Sequence, residues 1–229
     1  MNAQKKTFHA SKAVSQTSDG LHYLLYTPDI QGEENAPPLM IFLHGLGERG
    51  DNLNELERVA VYGPPLYAQQ HPDFPFVLVA PQCPTDRFWI GLVWALDELL
   101  DSVLETMPVD PRRLYLTGLS MGAFGAWEWA LSRPERFSAL VSVCGGYSAA
   151  GGRMPVNLCD LRNLPVWAFH GLEDTVVPPS YSIDLIEALK ACGSLARLTL
   201  YPDRGHDSWA PTYANPDLYA WMLKHEKSE

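Results

Sequence analysis

Leu114-Tyr115-Leu116-Thr117-Gly118-Leu119-Ser120-Met121-Gly122-Ala123 decides the reading of this 229-residue chain. A short apolar run passes through Gly-x-Ser-x-Gly into a helix-forming stretch, Ala123 to Leu131. That pattern implies a strand, a sharp turn and a helix with a serine at the apex. A turn so tight forces unfavourable backbone angles on the serine, and the flanking glycines let strand and helix approach without Cβ clashes. The helix start also aims unpaired N–H groups and its positive dipole end at the same point. Ser120 therefore reads as a nucleophile. Gly and Ser are common residues, so the pentapeptide alone is a weak signal, and its weight comes from the rest of the chain.

Outward from the turn, short apolar runs recur: Leu39–Leu43, Phe76–Ala80, Leu140–Val143, Val166–Phe169 and Leu198–Tyr201, with an earlier strand at Leu21–Thr27. Nearly continuous runs of this kind mark strands covered on both faces. Amphipathic stretches alternate with them. Leu92–Met107 carries apolar residues at spacings of three and four and is stopped by Pro108, Ser180–Cys192 is stopped by Gly193, and Pro216–His225 reads as a last helix. Alternation of strand and helix predicts a mostly parallel sheet with helices on both faces. With no internal repeat or linker, residues 1–229 read as one domain, its residues 1–18 a polar, partly mobile leading segment. Gln31–Pro38, rich in Glu, Asn and Pro, reads as a turn.

Composition narrows the partners. The chain is 46% hydrophobic and 19% charged, enough to build one large core, and its net charge of −10 repels nucleic acid and anionic lipid surfaces. No basic stripe and no run long enough to span a membrane is present, and Met1–Gly20 lacks the apolar centre of an export signal. A cytoplasmic protein with neither nucleic-acid nor membrane partner is expected; an export signal already removed would leave the same sequence. Cys83, Cys144, Cys159 and Cys192 lie far apart without metal-ligand spacing and read as free, mostly buried thiols. No metal or nucleotide motif appears, so no cofactor is implied and the chemistry falls to side chains.

In open parallel sheets ligands bind beyond the carboxyl ends of the strands. The residues there are His44-Gly45-Leu46-Gly47, Gly118 to Gly122, Gly171-Leu172-Glu173-Asp174 and Arg204-Gly205-His206. His206, following the final strand on a loop freed by Gly205, is the choice for general base. His44 and His170 compete, but each ends a strand before a glycine, where a histidine usually serves packing or a backbone hydrogen bond. Asp174 and Glu173 both qualify as the acid that orients the base; Asp174 is favoured because Val176, Val177 and Pro178 fix its loop. The oxyanion donors are expected to be the backbone N–H groups of Met121 and Leu46. Trp89, Trp209 and Arg49 are candidate substrate contacts, the tryptophans equally suited to packing, whereas Trp127 and Trp129 on the turn's helix read as structural.

With Ser120, Asp174 and His206 in this order, nearly the whole chain resembles the α/β-hydrolase superfamily. His44-Gly45-Leu46-Gly47-Glu48-Arg49-Gly50, Pro81-Gln82-Cys83-Pro84, Gly118–Ala123 and Gly205-His206-Asp207-Ser208-Trp209 resemble bacterial phospholipase/carboxylesterase-type esterases. The resemblance implies an eight-strand, mostly parallel sheet and serine-ester chemistry, and a small-molecule ester of short to medium acyl chain is the expected substrate. Dienelactone hydrolases are similar but carry Cys at the turn where this chain has Ser120. The connection from Gly145 to Leu164 is too short for a cap domain, so an open, shallow site is expected. A peptidase or an acyl transferase would use the same three residues, and a non-catalytic binding protein of this fold would usually have lost one of them.

Overall fold

The computed structural model describes residues 3–28, 36–147 and 154–227, and gathers the apolar runs into one eight-stranded sheet. Its strands are β1 (Ala3–Phe8), β2 (Leu21–Tyr26), β3 (Leu39–Leu43), β4 (Val77–Pro81), β5 (Leu114–Leu119), β6 (Ala139–Val143), β7 (Val166–Gly171) and β8 (Arg197–Tyr201). They lie in the order β1-β2-β4-β3-β5-β6-β7-β8. Pairing is parallel from β4 through β8, and β2 alone runs against the rest. Leu43 pairs with Gly118 and Leu119 with Val143, so the exits of β3, β5 and β6 open side by side.

Among the described residues, six helices cover the faces: α1 (Gly63–Gln70), α2 (Val93–Thr106), α3 (Met121–Ser132), α4 (Ser180–Ala191), α5 (Trp209–Ala214) and α6 (Pro216–Met222). Side chains alternate across a strand, so each central strand supplies two cores. Leu39, Ile41 and Leu43 pack with Leu114 and Leu116 beneath α2, α3 and α4. Met40 and Phe42 pack on the opposite face with Tyr115, Tyr213 and Met222 beneath α1, α5 and α6. This two-sided burial is why the strands read as unbroken apolar runs.

Three features depart from the sequence reading. Ala3–Phe8, taken as part of a polar leading segment, is the edge strand β1, paired with β2 from Ala3 opposite Tyr26 to Phe8 opposite Leu21. Its side chains are mostly exposed and include Lys5 and Lys6, charges that deter further pairing along a free edge and also erase the apolar signature of a strand. Cys159 and Cys192, taken as free thiols, form a disulfide with Cα atoms 5.2 Å apart, while Cys83 and Cys144 are free and buried. The pair is 33 residues apart in sequence and meets only because α4 folds back on the turn at Leu158–Leu161. The final helix stops at Met222 rather than His225. Most of the expected Gln31–Pro38 turn, and residues 148–153 of the Gly145–Leu164 connection, lie outside the described residues.

Candidate active site

Ser120 sits between β5 and α3 with φ 50° and ψ −120°, a conformation that costs a non-glycine residue about 1–3 kcal/mol. The surroundings hold it there: its N–H donates to Val143 O at 2.9 Å, and its carbonyl accepts from Ala123 N, also at 2.9 Å. The two glycines of the motif are sterically required. A Cβ on Gly122 would lie 1.9 Å from Leu43 O, and one on Gly118 would lie 2.3 Å from Gly122 O.

The three side chains singled out from sequence form one hydrogen-bonded line. His206 Nε2 lies 2.9 Å from Ser120 Oγ, and His206 Nδ1 lies 2.7 Å from Asp174 Oδ2. Backbone contacts between the loops after β7 and β8 bring the acid and the imidazole together: Leu172 N donates to Tyr201 O and Glu173 N to Arg204 O, each at 2.9 Å. Gly171 allows this approach, since a Cβ there would meet Gly205 O at 2.2 Å.

Asp174 is fully buried at its side chain. Burial pushes its carboxyl up, but the His206 hydrogen bond and the N–H groups of Val177 and Val176 more than offset this and hold it below the usual carboxylate range. Those two N–H groups bind Oδ1 at 2.9 and 2.8 Å, leaving Oδ2 for the histidines. Glu173, the alternative acid, is exposed and makes no such contact among the described residues.

A second histidine shares that carboxylate. His170, also fully buried, places Nε2 3.1 Å from Asp174 Oδ2 and 3.0 Å from Val177 O. Both are acceptors, so Nε2 carries the proton. Nδ1 faces Ser182 Oγ at 2.7 Å. Burial lowers the pKa of His170. From sequence His170 read as a strand-end packing residue; its link to the acid follows from the chain turning back four residues later, which a reading of strand ends does not resolve.

Across the site, the Leu46 turn passes close to the serine: a Cβ on Gly45 would be 3.8 Å from Ser120 Cβ. Leu46 and Met121 line one cleft with Ser120. Three buried or partly buried groups fix this turn. His44 donates from Nδ1 to Gly45 O at 2.6 Å and accepts from Cys83 N at Nε2, 2.9 Å, and burial lowers its pKa to about 4. Gln82 Nε2 donates to Glu48 O and Glu55 O at 2.9 and 3.0 Å. Arg49, a candidate substrate contact, spends its guanidinium on Leu46 O, Thr85 O and Arg87 O and lies 5.4 Å from the Phe88 ring centre.

Trp89 is buried, donates its indole N–H to His44 O at 2.9 Å, and still contributes to the cleft wall. Trp209 stands edge-on to His206 at 5.4 Å and against Tyr62 at 5.6 Å. Trp127 and Trp129 are buried and hydrogen-bonded to Ser142 and Asp97. The cleft also has walls that sequence reasoning did not single out, Phe88, Ile90 and Phe124. Among the described residues, no helix is long and apolar enough to cross a membrane.

A strained serine at a strand–helix turn, in line with a histidine and a buried aspartate at the carboxyl edge of a parallel sheet, places the molecule among the α/β-hydrolases. Residues 93–214, over half of the chain, match the phospholipase/carboxylesterase family model, and the chain belongs to that family. A poly(3-hydroxyoctanoate) depolymerase from Pseudomonas fluorescens is 31% identical over 67% of this chain and 60% of its own length. A crystal structure of a thermostable esterase superposes with a TM-score of 0.80 at 28% identity, over 98% of this chain and 63% of that one. A ferulic acid esterase from Anaeromyces mucronatus shares the fold at 15% identity, with a TM-score of 0.68 over 98% of this chain and 90% of that one. The chain thus spans about three fifths of the length of the depolymerase and of the thermostable esterase.

Proposed function

We propose that the protein hydrolyses carboxylic esters of short to medium acyl chain through a Ser120–His206–Asp174 triad and an acyl-enzyme. The observation that carries this reading is the pair of contacts at 2.9 and 2.7 Å that links Ser120 Oγ through His206 to Asp174. Ser120 Oγ attacks the ester carbonyl while His206 Nε2 takes its proton, and the Leu46 and Met121 N–H groups receive the oxyanion. As the tetrahedral intermediate collapses, the bond to the alcohol oxygen breaks and His206 returns the proton to that oxygen. Water, deprotonated by His206, then attacks the acyl carbonyl, and Ser120 leaves with the proton. Asp174, held ionised, keeps Nδ1 protonated and stabilises the imidazolium that forms twice per cycle.

The test is turnover of p-nitrophenyl esters by the wild type and Ser120→Ala side by side. Loss on the order of 10⁴ or more in kcat is expected. Equal activity in both proteins would remove the reading.

The family and the esterase relative favour a small ester as substrate. The cytoplasmic location expected from composition is opposed by the Cys159–Cys192 disulfide, because such bonds persist mainly in oxidising compartments. We therefore favour an oxidising compartment. Differential thiol labelling of the protein from its native cells, acid-quenched and denatured so that the buried Cys83 and Cys144 are reached, tests this, with two labelled cysteines expected before reduction and four after it. Four before reduction would restore the cytoplasm.

A further inference from the structure

On the ester-hydrolase reading above, we propose that the cleft between the Leu46 turn, the Phe88–Ile90 loop and the first turn of α3 is the acyl-chain site. It is shaped for an uncharged hydrocarbon acyl group of about six to ten carbons.

Stereochemistry at the reacting carbon assigns the side. His206 Nε2 must reach the leaving oxygen, so the alcohol half lies toward His206 and the aromatic pair Trp209 and Tyr62. The carbonyl oxygen lies toward the Leu46 and Met121 N–H groups. One direction remains for the acyl chain. The cleft fills it, because it is bounded by Ser120, Leu46 and Met121 but not by His206 or Trp209.

The lining sets the chemical class. Leu46, Phe88, Trp89, Ile90, Met121 and Phe124 form the walls, and Ser120 brings the one hydroxyl. The Trp89 N–H is already donated to His44 O, and the Arg49 guanidinium is committed to backbone carbonyls behind Phe88. A peptide-like acyl group would bury N–H and C=O groups with no side chain to receive them, and a carboxylate would meet no counter-charge. A hydrocarbon chain leaves no polar group unpaired by entering. The cleft holds about 300 Å³. At roughly 30 Å³ for each water-sized group, that is room for about ten methylenes. Leu46, Phe88 and Ile90 are each about half exposed around the mouth, which such a chain would cover.

Two ester series measured in parallel test the assignment: p-nitrophenyl esters of C2 to C14 acids, and ethyl to decyl acetates, with wild type and Ile90→Trp. For the first series kcat/KM is expected to rise by up to about fourfold per methylene, then level off or fall beyond C8 to C10. The acetate series should respond more weakly to alcohol length. Ile90→Trp, which fills the mouth, should lower the octanoate-to-acetate ratio of kcat/KM at least tenfold, while the ratio of decyl to ethyl acetate changes less than threefold. Cleavage of acetate without gain from longer acyl chains would overturn the acyl site and leave the esterase reading intact. Length preference that follows the alcohol would overturn the side assignment. An enzyme that cleaves no ester, with Ser120 inert to organophosphates, would overturn both.

Discussion

The exits of β3 and β7 look alike in sequence and do different work in the fold. Each ends in an apolar run, a histidine and a glycine: His44-Gly45 after one, His170-Gly171 within the end of the other. Both imidazoles are buried, and burial lowers the pKa of each. His44 is wholly engaged with backbone, tying the Leu46 turn to the end of β4 through Cys83. His170 reaches a side chain, Asp174, and through it His206. A buried neutral histidine thus fixes the turn that carries a proposed oxyanion donor on one side and a carboxylate on the other. What separates the two is the residue four positions on: Glu48, 3.9 Å from His44 and outside the proposed triad, or Asp174.

The largest effect should come from breaking the β7 side at its carboxylate. Asp174→Asn is expected to lower kcat on the order of 10⁴, because the amide no longer enforces the tautomer that leaves Nε2 free to accept the serine proton. Steady-state kinetics with the fold verified by circular dichroism checks this, and a loss under tenfold would assign the orienting role elsewhere.

The same side carries the covalent brace, through Cys192 at the end of α4. Replacing both Cys159 and Cys192 with serine should lower unfolding stability by about 3–4 kcal/mol, the value expected for a loop of this length, as read by urea denaturation. Unchanged stability would mean that the bond constrains little of the unfolded chain.

The β3 side should show itself in the pH dependence of stability. His44 has a folded pKa near 4 against about 6.5 unfolded, so between these values the unfolded chain binds the extra proton. Stability from this group is therefore full above about pH 6.5 and is lost as pH falls toward 4, by on the order of 3 kcal/mol. His170 and His225, also lowered, add to the same slope. Unfolding of His44→Gln across this window should show a shallower slope than the wild type; the same slope in both would show that His44 contributes none of it.

The smallest effect should distinguish positioning from packing at His170. Removing its N–H leaves Asp174 Oδ2 with one fewer donor and a stronger hold on the protonated His206. His170→Phe should move the acid limb of kcat/KM to higher pH by up to about one unit, and His170→Gln, which retains an N–H, by less. A fall in kcat with the limb unmoved would make His170 a packing residue only.

The features legible from sequence were those written in local pattern. Unbroken apolar runs gave the central strands because both of their faces are covered. Gly118-x-Ser120-x-Gly122 marked the turn because no larger residue fits against Leu43 or within the turn itself. The illegible features depend on neighbours distant in sequence. β1 is held by backbone pairing while most of its side chains face solvent, Cys159 and Cys192 meet only when α4 packs, and Arg49 looks like a free rim charge until Thr85 and Arg87 are folded beside it. Phe88, Ile90 and Phe124 line the cleft from two separate elements, so no single stretch announces them.

The central claim is that Ser120 is the nucleophile. Intact-mass analysis and peptide mapping after incubation with diethyl p-nitrophenyl phosphate test it most directly. One diethylphosphoryl group on Ser120, absent in Ser120→Ala and greatly slowed in His206→Ala, is the expected result. No adduct, or an adduct on another residue, would contradict the account.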